Sequence, residues 1–337
     1  MSEYKISVIV PCYNSSKTIE RTIRSVLSQD FKDFETIFVD DASSDDTVDV
    51  ILDTLKGENA NYQVIVNKEN KGPAYTRNRG IHASKGQYIV FLDSDDVINF
   101  NHLSSLYKFV KEDNIDSAFV KGVKLDDNDK LFDFEVNRFD SLLSLAKEKK
   151  GLIESSDLIR MELTMEIPFS FVFLIYDKKI INDNELWFNE DYAYGEDTDF
   201  ALRYLSHCDN VRIVDRYTYF YYQEDDSITH TSSLNRFESI GLFDDLYSYF
   251  IDLGFNDLAD VLFYNRIPKF IFGNMNYFFK NGFSKDDVFN KMDELGLFDR
   301  LNAFKPYTKR DRKFKLKVKL FLANPSIYYK LWMKFKK

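Results

Sequence analysis

The sequence predicts an α/β fold, a mostly parallel sheet with helices on both faces. Two observations carry this prediction. Through the first hundred residues, short runs of Val, Ile and Phe alternate with stretches whose apolar residues recur at helical spacing, the pattern of successive βαβ units. The first, second and fourth runs also end abruptly at Pro11, Asp40 and Asp93, which is the punctuation of strand ends.

Ile6 to Val10 is the first strand, broken at Pro11, and Ile19, Ile23, Val26 and Leu27 mark one face of the helix that follows. Phe34 to Val39 is the second strand, stopped by Asp40-Asp41-Ala42-Ser43-Ser44, and Val48, Ile51, Leu52 and Leu55 define the next helix. Tyr62 to Val66 is the third strand. The loop NKENKGPAY leads into a short helix through Ile81, and Gln87 to Leu92 forms the fourth strand. Residues 101–113 and 117–125 add a helix and a strand before the pattern loosens at Asp126 to Asp129. Apolar stretches at 168–181, 197–205 and 217–222 read as a second half-domain completing a cleft. Residues 235–304 read as helical, with Leu242, Leu246, Tyr249, Phe250 and Leu253 on one face.

Composition narrows the classes. At 337 residues and 44% hydrophobic content the chain is globular. No stretch is a membrane span, and Met1 to Lys5 lacks the basic-then-apolar form of a signal peptide, so a cytoplasmic location is expected. Cys12 and Cys208 have no partners at zinc-ligand spacing and read as small apolar side chains. A net charge of −10 argues against nucleic-acid binding. From Lys305 onward, however, twelve Lys or Arg face one acid, Asp311, giving +11 for the tail and −21 for the rest.

In a sheet of this kind ligands bind in the crevice at the strand C-termini, and there the sequence concentrates acid. Asp93, Asp95 and Asp96 follow directly on the buried run ending at Leu92. Packed carboxylates need a cation, a proton or open water; oxygen ligands suit Mg²⁺ or Mn²⁺ carrying a diphosphate, which makes a nucleotide the natural guest. Turn formation and helix capping are the plainer alternative. Asp40-Asp41 is suited to a base N–H or a ribose hydroxyl, because Ser44 and Asp45 already serve the following helix as caps. Lys71 and Arg77 are candidates to meet phosphate, with an exposed helix surface as the alternative. Glu196, Asp197 and Asp199 open an apolar-periodic helix, where a carboxylate can be held ionised as a general base or serve only the helix dipole. No G-x-G-x-x-G follows the first strand, and no P-loop or H-E-x-x-H occurs, which removes the main support for dinucleotide, P-loop and zinc-hydrolase readings.

Five segments, ISVIVPCYNSSKTIERTIRSVLSQDF, FVDDASSDDT, ENKGPAYTRNRGI, GQYIVFLDSDD and GEDTDF, resemble in order and spacing the inverting GT-A glycosyltransferases of family 2. The resemblance implies a Rossmann-like GT-A domain over 1–230, with a nucleotide-binding half at about 1–125 and an acceptor half at about 126–230. A helical region at 231–304 and a basic amphipathic tail at 305–337 would follow. It also implies a UDP-sugar donor and Mg²⁺ or Mn²⁺. On that pattern Pro11 and Tyr13 line the nucleotide pocket, Asp41 reads the base and Asp40 supports the same corner. Asp93 and Asp95 are the D-x-D metal residues, with Ser94 between them in the donor set, and Arg77 faces the donor. Asp197 is the catalytic base with Glu196 as its neighbour; Asp96 lies just outside the motif. Toward the acceptor, IPFSFVFLIYDKKIINDNELWFNEDYAYGED resembles bacterial members that build capsule, exopolysaccharide or teichoic acid. Trp187 there is a sugar platform or a core residue, and His230 approaches the diphosphate or is a surface histidine. The acceptor implied is a hydroxyl of a cell-surface glycan, teichoic acid or lipid-linked chain. A non-catalytic sugar-nucleotide or glycan-binding partner of another transferase is the alternative, and the oligomeric state is open.

The tail reads as alternating Lys and apolar residues, a break at Pro325, and a helix with an aromatic face. It is expected to hold the chain peripherally at the inner face of the cytoplasmic membrane, with packing on the acidic body as the alternative. A chain ending before Lys305 is expected to stay folded.

Overall fold

The computed structural model describes residues 2–112, 114–125, 139–222 and 233–335. The chain divides into two compact units, Met1–Leu158 with Ile167–Asp225, and Ile159–Glu166 with Asp226–Lys337.

The first unit begins with β1 (Tyr4–Cys12), α1 (Ile19–Leu27), β2 (Phe34–Asp40), α2 (Thr47–Leu55), β3 (Tyr62–Val66), α3 (Pro73–Ala83) and β4 (Gly86–Phe91), in the order the apolar pattern predicts. There follow β5 (Val97–Ile98), α4 (His102–Glu112), β6 (Ser117–Leu125), α5 (Asp140–Glu148), β7 (Leu152–Glu154), α6 (Ser155–Leu163, whose residues from Ile159 are counted with the second unit), β8 (Ile175–Asp177), α7 (Lys178–Asp183), α8 (Glu196–Leu205) and β9 (Asn210–Tyr222). The main sheet has the order β3-β2-β1-β4-β8; β1 to β4 are mutually parallel, and β8 joins antiparallel to β4. Ile6, Val8, Ile9 and Val10 are fully buried, as expected of a central strand covered on both faces, where apolar residues run on instead of alternating. Register pairs Cys12 with Asp40 and Ile9 with Phe91. The segments carrying Pro11, Asp40-Asp41 and Asp93 therefore leave the sheet at one edge.

A smaller sheet, β5-β9-β6 with β7 also on β9, completes the unit. Its backbone is β9, which runs through residues 210–216 as well as the predicted 217–222.

The second unit is helical: α9 (Ile240–Asp252), α10 (Asn256–Val261), a π-turn at Leu262–Arg266, α11 (Ile267–Lys280), α12 (Lys285–Glu294), α13 (Leu297–Asn302), α14 (Asp311–Ala323) and α15 (Pro325–Phe335). Leu242, Leu246 and Phe250 of the predicted face are buried, whereas Leu253 stays 40% exposed.

The tail departs from expectation. It is built into this unit, since Phe314 and Phe321 of α14 and Tyr328 of α15 lie 5.2, 5.9 and 5.6 Å, ring to ring, from Phe272 of α11. Asp311, only 2% exposed, pairs with Lys269 at 2.7 Å and accepts from Asn265 and the Tyr307 and Thr308 amides. Burial would raise its pKa, but these donors outweigh it and lower it. Removing residues 305–337 would bare Phe272 and Phe279 and take its carboxylate from Lys269, leaving it the Thr164 carbonyl at 2.8 Å, which argues against the expectation of a dispensable tail.

Candidate active site

The acidic loop after β4 is held from behind by α1. Thr22 Oγ1 donates to the carbonyls of Ser94 and Asp96 at 3.0 and 2.8 Å, and Arg21 donates to that of Asp95 at 2.7 Å. Ser94 Oγ meets Ser15 Oγ at 2.7 Å. Asp93, Ser94 and Asp95 are left partly exposed, whereas Asp96 is 3% exposed. Tyr219 Oη donates to Asp96 at 2.7 Å and accepts from the Asp93 amide at 3.3 Å, and the Tyr222 amide also donates to Asp96. Burial, then repulsion from Asp95 and Asp93, holds the Asp96 pKa well above the carboxylate range. Asp96 thus braces the loop on β9, separate in its surroundings from the Asp93 and Asp95 side chains.

Gly72, with φ at +87°, takes the backbone into α3, where Pro73 sits in the first turn. One turn on is Arg77, 8% exposed. Its two terminal nitrogens divide: Nη2 donates to Asp93 Oδ1 at 3.2 Å and Nη1 to Glu196 Oε1 at 3.1 Å. Phe171 and Phe188 lie 4.6 and 5.5 Å from the guanidinium, favourable faces for a buried cation. Burial works against the Arg77 charge, but Asp93, Glu196 and Asp197 outweigh it and keep its pKa above the ordinary value. Arg77 Nε, also buried, has no hydrogen-bond partner among the described residues.

The three acids opening α8 have separate surroundings. Gly195, with φ at +89°, precedes the helix. Glu196 is 6% exposed and paired with Arg77; burial and the Asp197 charge raise its pKa to about 7 against the opposing pull of Arg77. Asp199 pairs with Arg203 at 2.9 Å along the helix. Asp197 lies between them, partly exposed, with Oδ1 accepting from the Thr198 amide at 2.6 Å. Of the three it alone combines access with a position beside the Arg77 pair.

At the next strand end, Asp40 accepts from the Ser43 amide and hydroxyl. Asp41, 3% exposed, accepts from Asn67 Nδ2 at 2.6 Å and from the Lys71 and Gly72 amides. Asp41 therefore pins the loop that starts α3. Lys71 extends from that loop to Glu69 at 3.4 Å and over Tyr75. Pro11 is partly buried and Tyr13 is 40% exposed at the end of β1. Trp187 stacks on His82 at 4.3 Å, at the far end of α3 from Gly72, with one ring face already covered. His230 lies outside the described residues. Cys12 and Cys208 are buried free thiols.

Sequence reasoning left out Tyr219, Phe171, Phe188 and Asn78. Asn78 joins α3 to the acceptor-side segment, bonding the Phe188 amide and carbonyl and donating to Glu190. Its place in the quoted TRNRGI stretch was the available signal. Tyr219 had none, because a tyrosine in an aromatic strand reads as core.

Among the described residues no three His, Cys, Asp or Glu side chains converge as a ready-made metal cage. Asp93 and Asp95 nevertheless fit Mg²⁺ or Mn²⁺, which is commonly bound by one or two carboxylates with substrate phosphates completing the shell.

Residues 7–167 match the family model "Glycosyl transferase family 2". Over 237 residues the chain is 31% identical to the poly(ribitol-phosphate) beta-N-acetylglucosaminyltransferase TarP of Staphylococcus aureus, covering 69% of this chain and 67% of TarP. Over 258 residues it is 30% identical to the GalNAc(5)-diNAcBac-PP-undecaprenol beta-1,3-glucosyltransferase of Campylobacter jejuni, covering 77% and 74%. The crystal structure of S. aureus TarS 1–349 with UDP-GlcNAc superposes with a TM-score of 0.69 at 20% identity, over 89% of this chain and 82% of that one, and so shares the fold. With both curated relatives spanned over two thirds or more of their length, and the D-x-D loop and α8 acids joined at one sheet edge, the chain belongs to glycosyltransferase family 2.

Proposed function

We propose that this transferase moves a hexose or N-acetylhexosamine from a UDP-sugar to a hydroxyl of a cell-surface glycan, teichoic acid or lipid-linked acceptor, with inversion. The observation that carries the reading is Arg77, which links Asp93 of the donor loop to Glu196 beside Asp197. One buried cation thereby couples the two places that such a transfer needs, a leaving-group site and a base. The names of TarP and the Campylobacter enzyme, a poly(ribitol-phosphate) and an undecaprenol-linked case, support a polymer or lipid-linked acceptor.

Asp197 takes the proton of the acceptor hydroxyl as its oxygen bonds to the anomeric carbon and the bond to UDP breaks. A single displacement inverts that carbon. Asp93 and Asp95 would hold a Mg²⁺ or Mn²⁺ ion, which when bound neutralises charge on the diphosphate. Arg77 fixes Asp93 in place, and its unspent Nε–H is a further donor within the buried cluster. Pro11, Tyr13, Asp40, Asp41, Lys71 and Ser94 frame the nucleotide side. The basic helices α14 and α15 keep the chain peripheral to the inner face of the cytoplasmic membrane.

The test is UDP release from a panel of nucleotide sugars with each metal, followed by assignment of the product anomer by NMR. Metal-dependent release with inverted product is expected. Binding of UDP without release from any donor, in the presence of glycan and lipid-linked acceptors, would replace this reading with a non-catalytic binding partner.

A further inference from the structure

Helix α14 has two apolar faces. Its sequence, DRKFKLKVKLFLA, alternates Lys with apolar residues, and at ~100° per residue a two-residue alternation falls on opposite sides of a helix. Phe314, Val318 and Phe321 turn inward, the last two at 3% and 0% exposure, whereas Leu316 and Leu320 are 60% and 59% exposed. On the helix wheel Leu316 and Leu320 lie roughly opposite Val318, flanked by Arg312 and Lys319 on one side and by Lys313 and Lys317 on the other. Helix α15 also has two faces: Tyr329 and Trp332 lie 4.8 and 5.6 Å from Phe279, while Ile327, Leu331 and Phe335 are 54%, 51% and 73% exposed, with Lys330 and Lys334 along one side of them.

The inward faces complete the core of the second unit, so the fold does not need the outward ones. An apolar stripe bordered on both sides by cations matches an anionic bilayer surface: leucines enter the acyl boundary while the lysine stems reach back to the headgroups. A second copy is a poorer match, because stripe on stripe would bring these like charges together, and a nucleic acid offers nothing to the leucines. None of the described helices is long and apolar enough to cross a membrane. We infer that the outward face of α14 and α15, centred on Leu316, Leu320, Ile327 and Leu331, is a preformed docking surface for anionic phospholipid. This rests on the peripheral-membrane part of the reading above and assigns the contact to two folded helices.

The experiment uses the full chain with vesicles of phosphatidylcholine alone or mixed with phosphatidylglycerol, at low and high salt, alongside UDP release and solution mass. The wild type is expected to sediment with the anionic vesicles only and to be partly released by salt. The double variant Leu316→Glu/Leu320→Glu should bind about tenfold more weakly or worse. Lys313→Gln/Lys317→Gln should weaken binding and flatten its salt dependence. Both variants alter exposed side chains and should keep the wild-type melting temperature and UDP release. Vesicle binding without UDP release would leave this inference standing and sink the transferase reading. UDP release with vesicle binding that is absent, or indifferent to the leucines, would overturn the inference. So would a wild-type dimer that the leucine variant converts to monomer with no vesicle binding by either, which would assign the face to a second copy.

Discussion

Replacing Arg77 by Met tests the coupling on which the site is built. Methionine keeps much of the apolar stem against Phe171 and Phe188 but removes the charge shared by Asp93 and Glu196. Breaking a buried ion pair by losing one partner costs about 3–5 kcal/mol when the other stays ionised. Glu196 has a way out, because it can take a proton. Its folded pKa is raised from 4.5 to about 7, so between those values the folded state holds the proton more tightly than the unfolded chain. Stability therefore falls as pH rises through that window, by about 3 kcal/mol at ~1.4 kcal/mol per pH unit, and levels off above it. Without Arg77 the lowering influence is gone, the folded pKa rises further, and the decline continues at the same slope above neutral pH. Urea midpoints of wild type and variant should be closest near pH 5, where both hold Glu196 largely neutral, and should diverge steadily from about pH 7 to 9. Transfer should fall in parallel because Asp93 loses its anchor. Two parallel stability profiles across this range, or wild-type turnover by the variant, would show that Arg77 does not govern Glu196.

Three further substitutions separate the roles within the site. Asp197→Asn should keep UDP binding by calorimetry while transfer drops ~10²–10⁴-fold, the scale of a lost general base; unchanged transfer would move the base elsewhere, with Glu196 first in line. Asp95→Asn should leave the melting temperature unchanged and abolish metal-stimulated UDP release, an assignment that metal-independent release at the wild-type rate would refute. Tyr219→Phe removes a hydroxyl bonded to both Asp96 and the Asp93 amide and should lose about 1–3 kcal/mol in denaturant titration. It should also raise the metal concentration needed for half-maximal release; no change in either would mean that Asp96 does not brace the loop.

The order of the first strands and helices was legible because buried parallel strands carry near-continuous apolar runs that Pro or Asp ends sharply. The acidic edge was legible for the same reason, since three carboxylates directly after such a run stand out. What separates Asp96 from Asp95 was not legible: the two are adjacent and identical, and the partners of buried Asp96, Tyr219 and the Tyr222 amide, lie more than a hundred residues further on. The Arg77–Glu196 bond likewise spans 119 positions, beyond any local pattern. Residues 210–216 did not read as strand, because Asp215 and Arg216 interrupt the apolar run; both are exposed on β9. The alternation from Lys313 to Leu320 imitates a strand period, yet the segment is a helix, and its alternate apolar positions went to two faces instead of one.

The short strand β8 has a consequence out of proportion to its three residues. It caps the main sheet by pairing with Tyr88, Ile89 and Val90 of β4, yet it lies beyond residue 167, where the match to the family model stops. A fragment cut at that point would keep all four parallel strands and leave the β4 edge bare, a row of unpaired amides and carbonyls along a run in which Ile89 and Val90 are fully buried in the intact chain. Such an edge is a template for intermolecular strand addition. A fragment ending at residue 167 is therefore expected to aggregate, which size-exclusion chromatography of that fragment would check. A junction placed after Asp177 would keep the protecting strand with the sheet it covers.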